Sequence, residues 1–108
     1  MRTSPTERWL ADMELVVCYD INTETKAGER RLRKVAKVCE GYGQRVQMSV
    51  FECIVDQAGY HLLTAALTEA IEGSFDSVLI YRLREPYGAF VRRLGRVPLL
   101  DQRAPLIL

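Results

Sequence analysis

An aspartate at the end of an apolar run is the residue of this chain best placed to do chemistry. The run extends from Leu15 to Ile21, and its side chains are apolar or aromatic except for Asp20. A strand that ends in a carboxylate can offer oxygen ligands to Mg²⁺, which proteins hold through one or two carboxylates, water and substrate phosphate. A strand-end aspartate that caps the following loop is the alternative, and the residue types leave both readings open.

A group of cations shortly after this run is the second candidate. The apolar residues of the segment recur at intervals of three and four, which predicts a helix with a cationic outer surface. Such a surface can contact nucleic-acid phosphates without reading sequence, and a solvated helix face is the alternative. The cations are Arg30, Arg31, Arg33, Lys34 and Lys37.

Length and composition restrict the class of protein. The chain has 108 residues and a formal net charge of +1, which predicts one domain. No apolar run approaches the roughly 18 residues of a membrane span, and residues 1–12 do not resemble a secretory signal, so we expect a cytoplasmic protein. Cys18, Cys39 and Cys53 are isolated and His61 is the one histidine, which predicts reduced thiols and no zinc site.

Apolar periodicity predicts the elements that position these groups. The first strand, Glu14–Ile21, is apolar on both faces, which is typical of a strand covered on both sides, and Asn22–Gly28 is a polar loop. A turn within residues 44–55 indicates either two short strands or one bulged strand, and we favour two. The remaining predicted elements are a helix at Glu29–Gly41, strands at Arg45–Gln47 and Val50–Val55, a helix at Gln57–Glu72 with Asp56 as its N-cap, and a strand at Ser77–Leu83.

The order β-α-β-β-α-β predicts an α+β fold of the ferredoxin-like type. Helices on one face of the sheet leave the other face bare, and the apolar first strand requires a cover there, so we expect a face-to-face homodimer. We divide the chain into an N-terminal extension (1–12), the ferredoxin-like domain (13–83) and a C-terminal tail (84–108). The apolar ending Pro105–Leu108 is expected to add a strand at a sheet edge.

Three blocks of the sequence resemble the Cas2 family, the small CRISPR-associated proteins of spacer acquisition. The blocks are Val-Val-Cys-Tyr-Asp-Ile at 16–21, Arg-Arg-Leu-Arg-Lys-Val-Ala-Lys at 30–37 and Tyr-Gly-Gln-Arg-Val-Gln-Met-Ser-Val-Phe-Glu-Cys at 42–53. The ending Pro-Leu-Ile-Leu is similar to that of the subtype I-C branch.

The resemblance implies a ferredoxin-like homodimer in which two copies of Asp20 face each other and hold Mg²⁺ or Mn²⁺. It also implies an endonuclease that acts on single-stranded RNA or double-stranded DNA, and a dimer that bridges the Cas1 integrase on the DNA fragment that becomes a new spacer. A purely architectural DNA-binding dimer without physiological cleavage is the alternative. The positions implicated are Asp20 and Tyr19 in catalysis, and Arg31, Arg33, Arg45 and Phe51 around the cleft.

Overall fold

The computed structural model describes residues 12–83 together with positions 92, 94 and 95. Its elements are β1 (Met13–Asp20), α1 (Lys26–Glu40), β2 (Gly43–Gln47), β3 (Val50–Val55), α2 (Gln57–Ala70) and β4 (Ser77–Arg82). The predicted N-terminal extension and the predicted C-terminal edge strand lie outside the described residues, apart from these few positions.

The four strands form one antiparallel sheet in the order β2-β3-β1-β4. The strand β1 is central, because its residues 13–18 pair with β3 and its residues 15–20 pair with β4. Both of its backbone edges are therefore hydrogen-bonded, as the predicted central position requires. A small α+β fold with a four-stranded sheet and two helices is confirmed.

Both helices cover the same face of this sheet. Alternate residues of β1, including Leu15 and Val17, are completely buried. They share one core cluster with Phe51 of β3, Val35 of α1 and Leu63 of α2. The core therefore forms between the helices and one side of the central strand, where apolar surface is removed from water on every side.

The opposite face of the sheet has no cover within residues 12–83. Strand alternation and register place Val16, Cys18, Ile54, Leu79 and Tyr81 on this side, which we call the open sheet face. The side chains of Leu79 and Tyr81 are 54% and 55% exposed. Glu14 and Glu52 lie on the same side, opposite Ile54 and Val16 in the register. The open sheet face therefore combines exposed apolar side chains with carboxylates, and an exposed apolar patch beside polar residues is typical of an interaction surface.

The helix α1 begins at Lys26, three residues before the predicted start. Thr25 caps it, because the Thr25 Oγ1 accepts a hydrogen bond of 3.0 Å from the backbone N–H of Gly28. Gly28, which the sequence placed in the loop, is instead a buried residue of the first helical turn. A β-carbon at this position would overlap the carbonyl oxygen of Asn22, so glycine lets the helix pack directly on the loop after β1.

The other element boundaries agree with the predictions within two residues. The choice between two strands and one bulged strand is decided in favour of two, β2 and β3, joined by Met48 and Ser49. Their pairing also contains an irregularity between Arg45 and Gln47. Asp56 caps α2 as predicted, with its Oδ1 accepting a hydrogen bond of 2.7 Å from the first helical turn.

The three cysteines are free thiols, as predicted. Cys39 and Cys53 are buried, and Cys18 is half-buried on the open sheet face. Burial raises the pKa of Cys39 to about 11 and the pKa of Cys53 to about 12. Both core thiols therefore stay protonated and unreactive at neutral pH.

No helix within the described residues is long and apolar enough to cross a membrane.

Candidate functional site

Asp20 is the last residue of the central strand and is exposed to solvent. Strand alternation puts its side chain on the same side as Val16 and Cys18, which is the side of the open sheet face. Ser77 of β4 lies opposite Asp20 in the register. The carboxylate is therefore presented at the end of an internal strand rather than on a loop.

One chain offers Asp20 as a single carboxylate. Among the described residues, no group of three or more His, Cys, Asp or Glu side chains could hold a metal ion. An exposed carboxylate suits Mg²⁺, which keeps several waters and binds proteins through one or two carboxylates. A single exposed carboxylate is therefore compatible with one of the protein ligands of such a site.

Tyr19 lies next to Asp20 in sequence but on the helix-covered side of the sheet. Its ring is buried and stacks on Phe51 with 6.2 Å between the ring centroids. Its hydroxyl donates a hydrogen bond of 3.4 Å to the carbonyl oxygen of Met48, and its backbone N–H donates one of 3.1 Å to the carbonyl oxygen of Ser49. Burial raises the pKa of Tyr19, so the phenol stays protonated at neutral pH. Tyr19 braces the β2–β3 turn and does not share a face with the carboxylate that it was predicted to assist.

Arg45 and Phe51 lie together on the helix-covered side of the β2–β3 hairpin. Phe51 is completely buried, so its role in nucleic-acid binding stays a prediction and would have to act through a neighbouring side chain. The Arg45 guanidinium carbon lies 5.2 Å from the centroid of the Phe51 ring, a cation–π arrangement. One guanidinium nitrogen lies 4.0 Å from a carboxylate oxygen of Glu40. Phe51 therefore supports Arg45 from the core, and Arg45 remains partly accessible to a phosphate.

Four of the five predicted cations form a row along α1. Arg30, Arg33, Lys34 and Lys37 are exposed and recur at i, i+3, i+4 and i+7, which is the spacing of one helix side. Lys26, one turn earlier, extends the row, and we call these five residues the cationic stripe. None of the five forms an ion pair with another described residue.

The cationic stripe and Asp20 lie on different sides of the sheet. The buried residues of α1 pack on the core, so the stripe faces away from the sheet, whereas Asp20 is on the open sheet face. The structure therefore does not bring the carboxylate and the stripe into one cleft within a single chain. A ligand that contacts both would have to pass around the edge of the sheet or contact two chains.

Arg31 is the one cation of the predicted helix group that does not belong to the stripe. Its Nε donates to Oδ2 of Asp76 at 2.7 Å, and its Nη2 donates to Oδ1 of Asp76 at 3.3 Å, which makes a bidentate ion pair. The same Nη2 donates to the carbonyl oxygen of Asn22 at 3.4 Å. Nε and Nη2 of Arg31 are therefore engaged within the fold, and the expectation that Arg31 binds nucleic acid stays a prediction.

Asp76, which no motif in the sequence marks, joins four elements. Its side chain is completely buried. Its Oδ1 accepts a hydrogen bond of 3.0 Å from the backbone N–H of Asn22, and its Oδ2 accepts one of 2.8 Å from the backbone N–H of Glu72. With Arg31, these contacts connect the loop after β1, α1, the segment that follows α2 and the start of β4. The hydrogen bonds from Arg31 and from the two backbone groups lower the pKa of Asp76 to about 2.

Replacing Asp76 by asparagine should destabilise the fold in a pH-dependent way. The folded-state pKa of about 2 lies below the usual 3.8, so the stabilising contribution is complete above about pH 4 and is lost as the pH falls towards 2. We expect a loss of about 2–3 kcal/mol of unfolding free energy at pH 7, less than for a fully buried pair because Arg31 reaches solvent. Urea unfolding between pH 7 and pH 2 measures this difference.

The Arg31→Met background supplies the control for this experiment. There the Asp76→Asn replacement should cost less and vary less with pH, because the guanidinium is the largest cause of the lowered pKa. A cost that stays constant down to pH 2 in both backgrounds would show that the ion pair does not stabilise the fold.

Known proteins are similar to this chain over most of its length. A family model described as "CRISPR associated protein Cas2" matches residues 13–88. The CRISPR-associated endoribonuclease Cas2 1 of Moorella thermoacetica is 48% identical over 96 residues, covering 89% of this chain and 100% of the relative. The CRISPR-associated endonuclease Cas2 of Halalkalibacterium halodurans is 47% identical over 95 residues, covering 88% of this chain and 99% of the relative.

Solved structures are similar as well. The crystal structure of Streptococcus pyogenes Cas2 has a TM-score of 0.70 and 48% sequence identity, covering 77% of this chain and 100% of that chain. All residues of the candidate site lie within the segment that the family model matches.

Proposed function

The chain belongs to the Cas2 family of CRISPR-associated proteins, and on this premise we propose that it is a nucleic-acid-binding homodimer of spacer acquisition with metal-dependent endonuclease activity. Two relatives carry the names endoribonuclease and endonuclease, which supports cleavage of RNA or DNA by this chain. The observation that carries the proposal is the exposed carboxylate of Asp20 at the border of the open sheet face, which exposes large apolar side chains. One chain supplies a single carboxylate for the proposed metal site, and this carboxylate lies next to a surface that could bind a second chain.

The fold is proposed to be of the ferredoxin-like type. The element order and the sheet order β2-β3-β1-β4, with both helices on one face, support this assignment. The domain is placed at residues 13–83, and the tail (84–108) is proposed to add an edge strand. The similarity of the Pro-Leu-Ile-Leu ending supports placement in the subtype I-C branch.

The open sheet face is the proposed homodimer interface. Three of its large apolar side chains, Ile54, Leu79 and Tyr81, are 41–55% exposed, and removing such surface from water stabilises association by about 25 cal/mol per Å². A second copy offers the same patch, as a two-fold interface requires. Because Asp20 lies on this side of the sheet, pairing here can bring two copies of the carboxylate towards one another.

Two copies of Asp20 are proposed to hold Mg²⁺ or Mn²⁺ in this dimer. The bound metal supplies charge that polarises the scissile phosphate and lowers the pKa of water. Asp20 provides the anionic ligand from the end of a hydrogen-bonded internal strand, so that its backbone is fixed before the metal binds. Tyr19 fixes the neighbouring β2–β3 turn through its hydrogen bonds to Met48 and Ser49.

The cationic stripe is the proposed contact surface for the nucleic-acid backbone. It runs along the helix from Lys26 to Lys37, which is about 17 Å at the helical rise and long enough to meet several phosphates. Contacts of this type do not read sequence, which suits a protein that handles foreign fragments of any sequence. Arg45 can add a phosphate contact at the hairpin.

An architectural role without physiological cleavage is the second candidate function. It is favoured by the separation between the stripe and Asp20, because backbone binding on the outer surface of α1 does not require the carboxylate. In this role the dimer holds double-stranded DNA and bridges the Cas1 integrase. Asp20 then has only a structural role, at the end of β1.

Replacing Asp20 by asparagine should abolish Mg²⁺-dependent cleavage, because the amide lacks the negative charge that binds the metal. We expect the rate on labelled single-stranded RNA and double-stranded DNA to fall by roughly a hundredfold or more, measured under single-turnover conditions. Asp56→Asn removes an equal charge at the cap of α2 and should cleave at the unaltered rate. Full activity of a highly purified Asp20→Asn protein would show that Asp20 is not the metal ligand.

Neutralising the cationic stripe should weaken the salt dependence of duplex binding. In the triple variant Arg33→Gln, Lys34→Gln, Lys37→Gln, the slope of log affinity against log salt concentration should decrease by about 0.9 for each phosphate that the variant no longer neutralises. Fluorescence anisotropy with duplex DNA at a series of salt concentrations measures the slope.

Arg31→Gln is the comparison for this experiment, with circular dichroism confirming that the variant is folded. Its slope should equal that of the unaltered chain, because the Arg31 donors face Asp76 and Asn22. A slope that falls with Arg31→Gln and stays constant in the triple variant would place the phosphate contacts elsewhere.

A further inference from the structure

The backbone on both sides of Asp20 is held by buried neighbours and by hydrogen bonds. Its neighbours Tyr19 and Ile21 are buried, at 6% and 8% exposure, so both flanking side chains are anchored in the core. The next residue, Asn22, donates its backbone N–H to Asp76 and offers its carbonyl oxygen to Arg31. Both backbone groups of Asn22 are therefore bonded to the same ion pair.

The same ion pair also holds the strand beside Asp20. Asp76 immediately precedes Ser77, and Ser77 is the residue of β4 that pairs with Asp20. A second contact of Asp76, to the backbone N–H of Glu72, fixes the connection that leads into β4. The buried carboxylate of Asp76 thus holds the backbone of Asn22, two residues after Asp20. Asp76 itself directly precedes Ser77, the residue that pairs with Asp20.

Further contacts restrain the loop after β1 and so also limit movement of the backbone near Asp20. The side-chain Oδ1 of Asn22 accepts a hydrogen bond of 2.9 Å from the backbone N–H of Glu24. The missing side chain of Gly28 lets α1 press against the Asn22 carbonyl group. Arg31 of α1 binds Asp76, and Asp76 binds the backbone of Asn22 after β1. This charged contact therefore also restrains the position of α1 relative to the end of β1.

We propose that the Arg31–Asp76 ion pair is a positioning device that fixes the Asp20 backbone for metal binding, and that Arg31 acts through this contact rather than by touching nucleic acid. This inference rests on the proposed metal site. In a metal site shared by two chains, each chain supplies one carboxylate. A single carboxylate binds the metal too weakly to be oriented by it, so the position of Asp20 must be set by contacts within its own chain. Arginine suits the task because its fork bonds both carboxylate oxygens, which lysine cannot do.

The test compares Arg31→Lys and Asp76→Asn with a control that destabilises the fold elsewhere. Asp56→Ala is that control, because it removes the cap of α2 next to Val55, and Val55 pairs with Met13 at the other end of β1. Two quantities are measured at a temperature where all proteins are folded. The first is the hydrogen-exchange rate of the Asn22 amide by NMR, and the second is the dissociation constant for Mn²⁺ by electron paramagnetic resonance.

Both quantities should change in the ion-pair variants and not in the control. We expect the Asn22 amide to exchange at least roughly tenfold faster, since its acceptor is weakened or moved. We expect Mn²⁺ to bind roughly 10- to 100-fold more weakly, the range found when groups that orient a metal ligand are altered. Arg31→Lys should lie between the unaltered chain and Asp76→Asn, because lysine keeps the charge and loses the fork.

Two results would overturn the positioning role. One is unchanged Asn22 exchange in both ion-pair variants. The other is faster exchange with a Mn²⁺ affinity equal to that of Asp56→Ala. Absence of Mn²⁺ binding by the unaltered chain would instead contradict the proposed metal site, so the two failures are distinguishable.

Discussion

The central position of β1 is the constraint on which the rest of the structure depends. Because β3 and β4 satisfy both of its backbone edges, its side chains can serve only the two faces of the sheet. One set, including Leu15 and Val17, builds the core under the helices. The other set forms the middle of the open sheet face and ends in Asp20. The core, the open sheet face and the exposed carboxylate therefore all depend on one strand. Moving its register by one residue would turn the core side chains to the open sheet face and the side chains of that face, including Asp20, towards the helices.

Local patterns in the sequence were sufficient for much of the fold. The elements, the Asp56 cap and the alternation of β1 follow from periodicity and capping chemistry, which act over a few residues. The pairing of Arg31 could not be predicted in this way, because its partner Asp76 is 45 positions away and becomes a neighbour only through the sheet. The complete burial of Phe51 could not be predicted for a similar reason, because it depends on helices distant in sequence that share its core cluster. Lys26 was missed because Gly28 was interpreted as the end of a loop rather than as a contact point within a helix.

The charged groups of the chain divide into those that serve the fold and those that remain free for a ligand. Arg31 and Asp76 satisfy each other in a mostly buried setting, where an unpaired charge would be costly. The cationic stripe has no such partners among the described residues, and its charges remain exposed to solvent at the helix surface. This division explains how a chain of almost zero net charge can present a cationic surface to phosphates, and it separates backbone binding from the carboxylate site.

The central claim is that the open sheet face joins two chains and thereby completes the Asp20 site. Sedimentation equilibrium of Leu79→Asp, paired with a cleavage assay on the same sample, tests it most directly. Leu62→Asp is the matched control, because Leu62 is also exposed but lies on α2, on the other side of the sheet. We predict that the unaltered chain and Leu62→Asp are active dimers and that Leu79→Asp is a folded monomer without Mg²⁺-dependent cleavage. A Leu79→Asp protein that stays dimeric, or a monomer that cleaves at the full rate, would contradict the account.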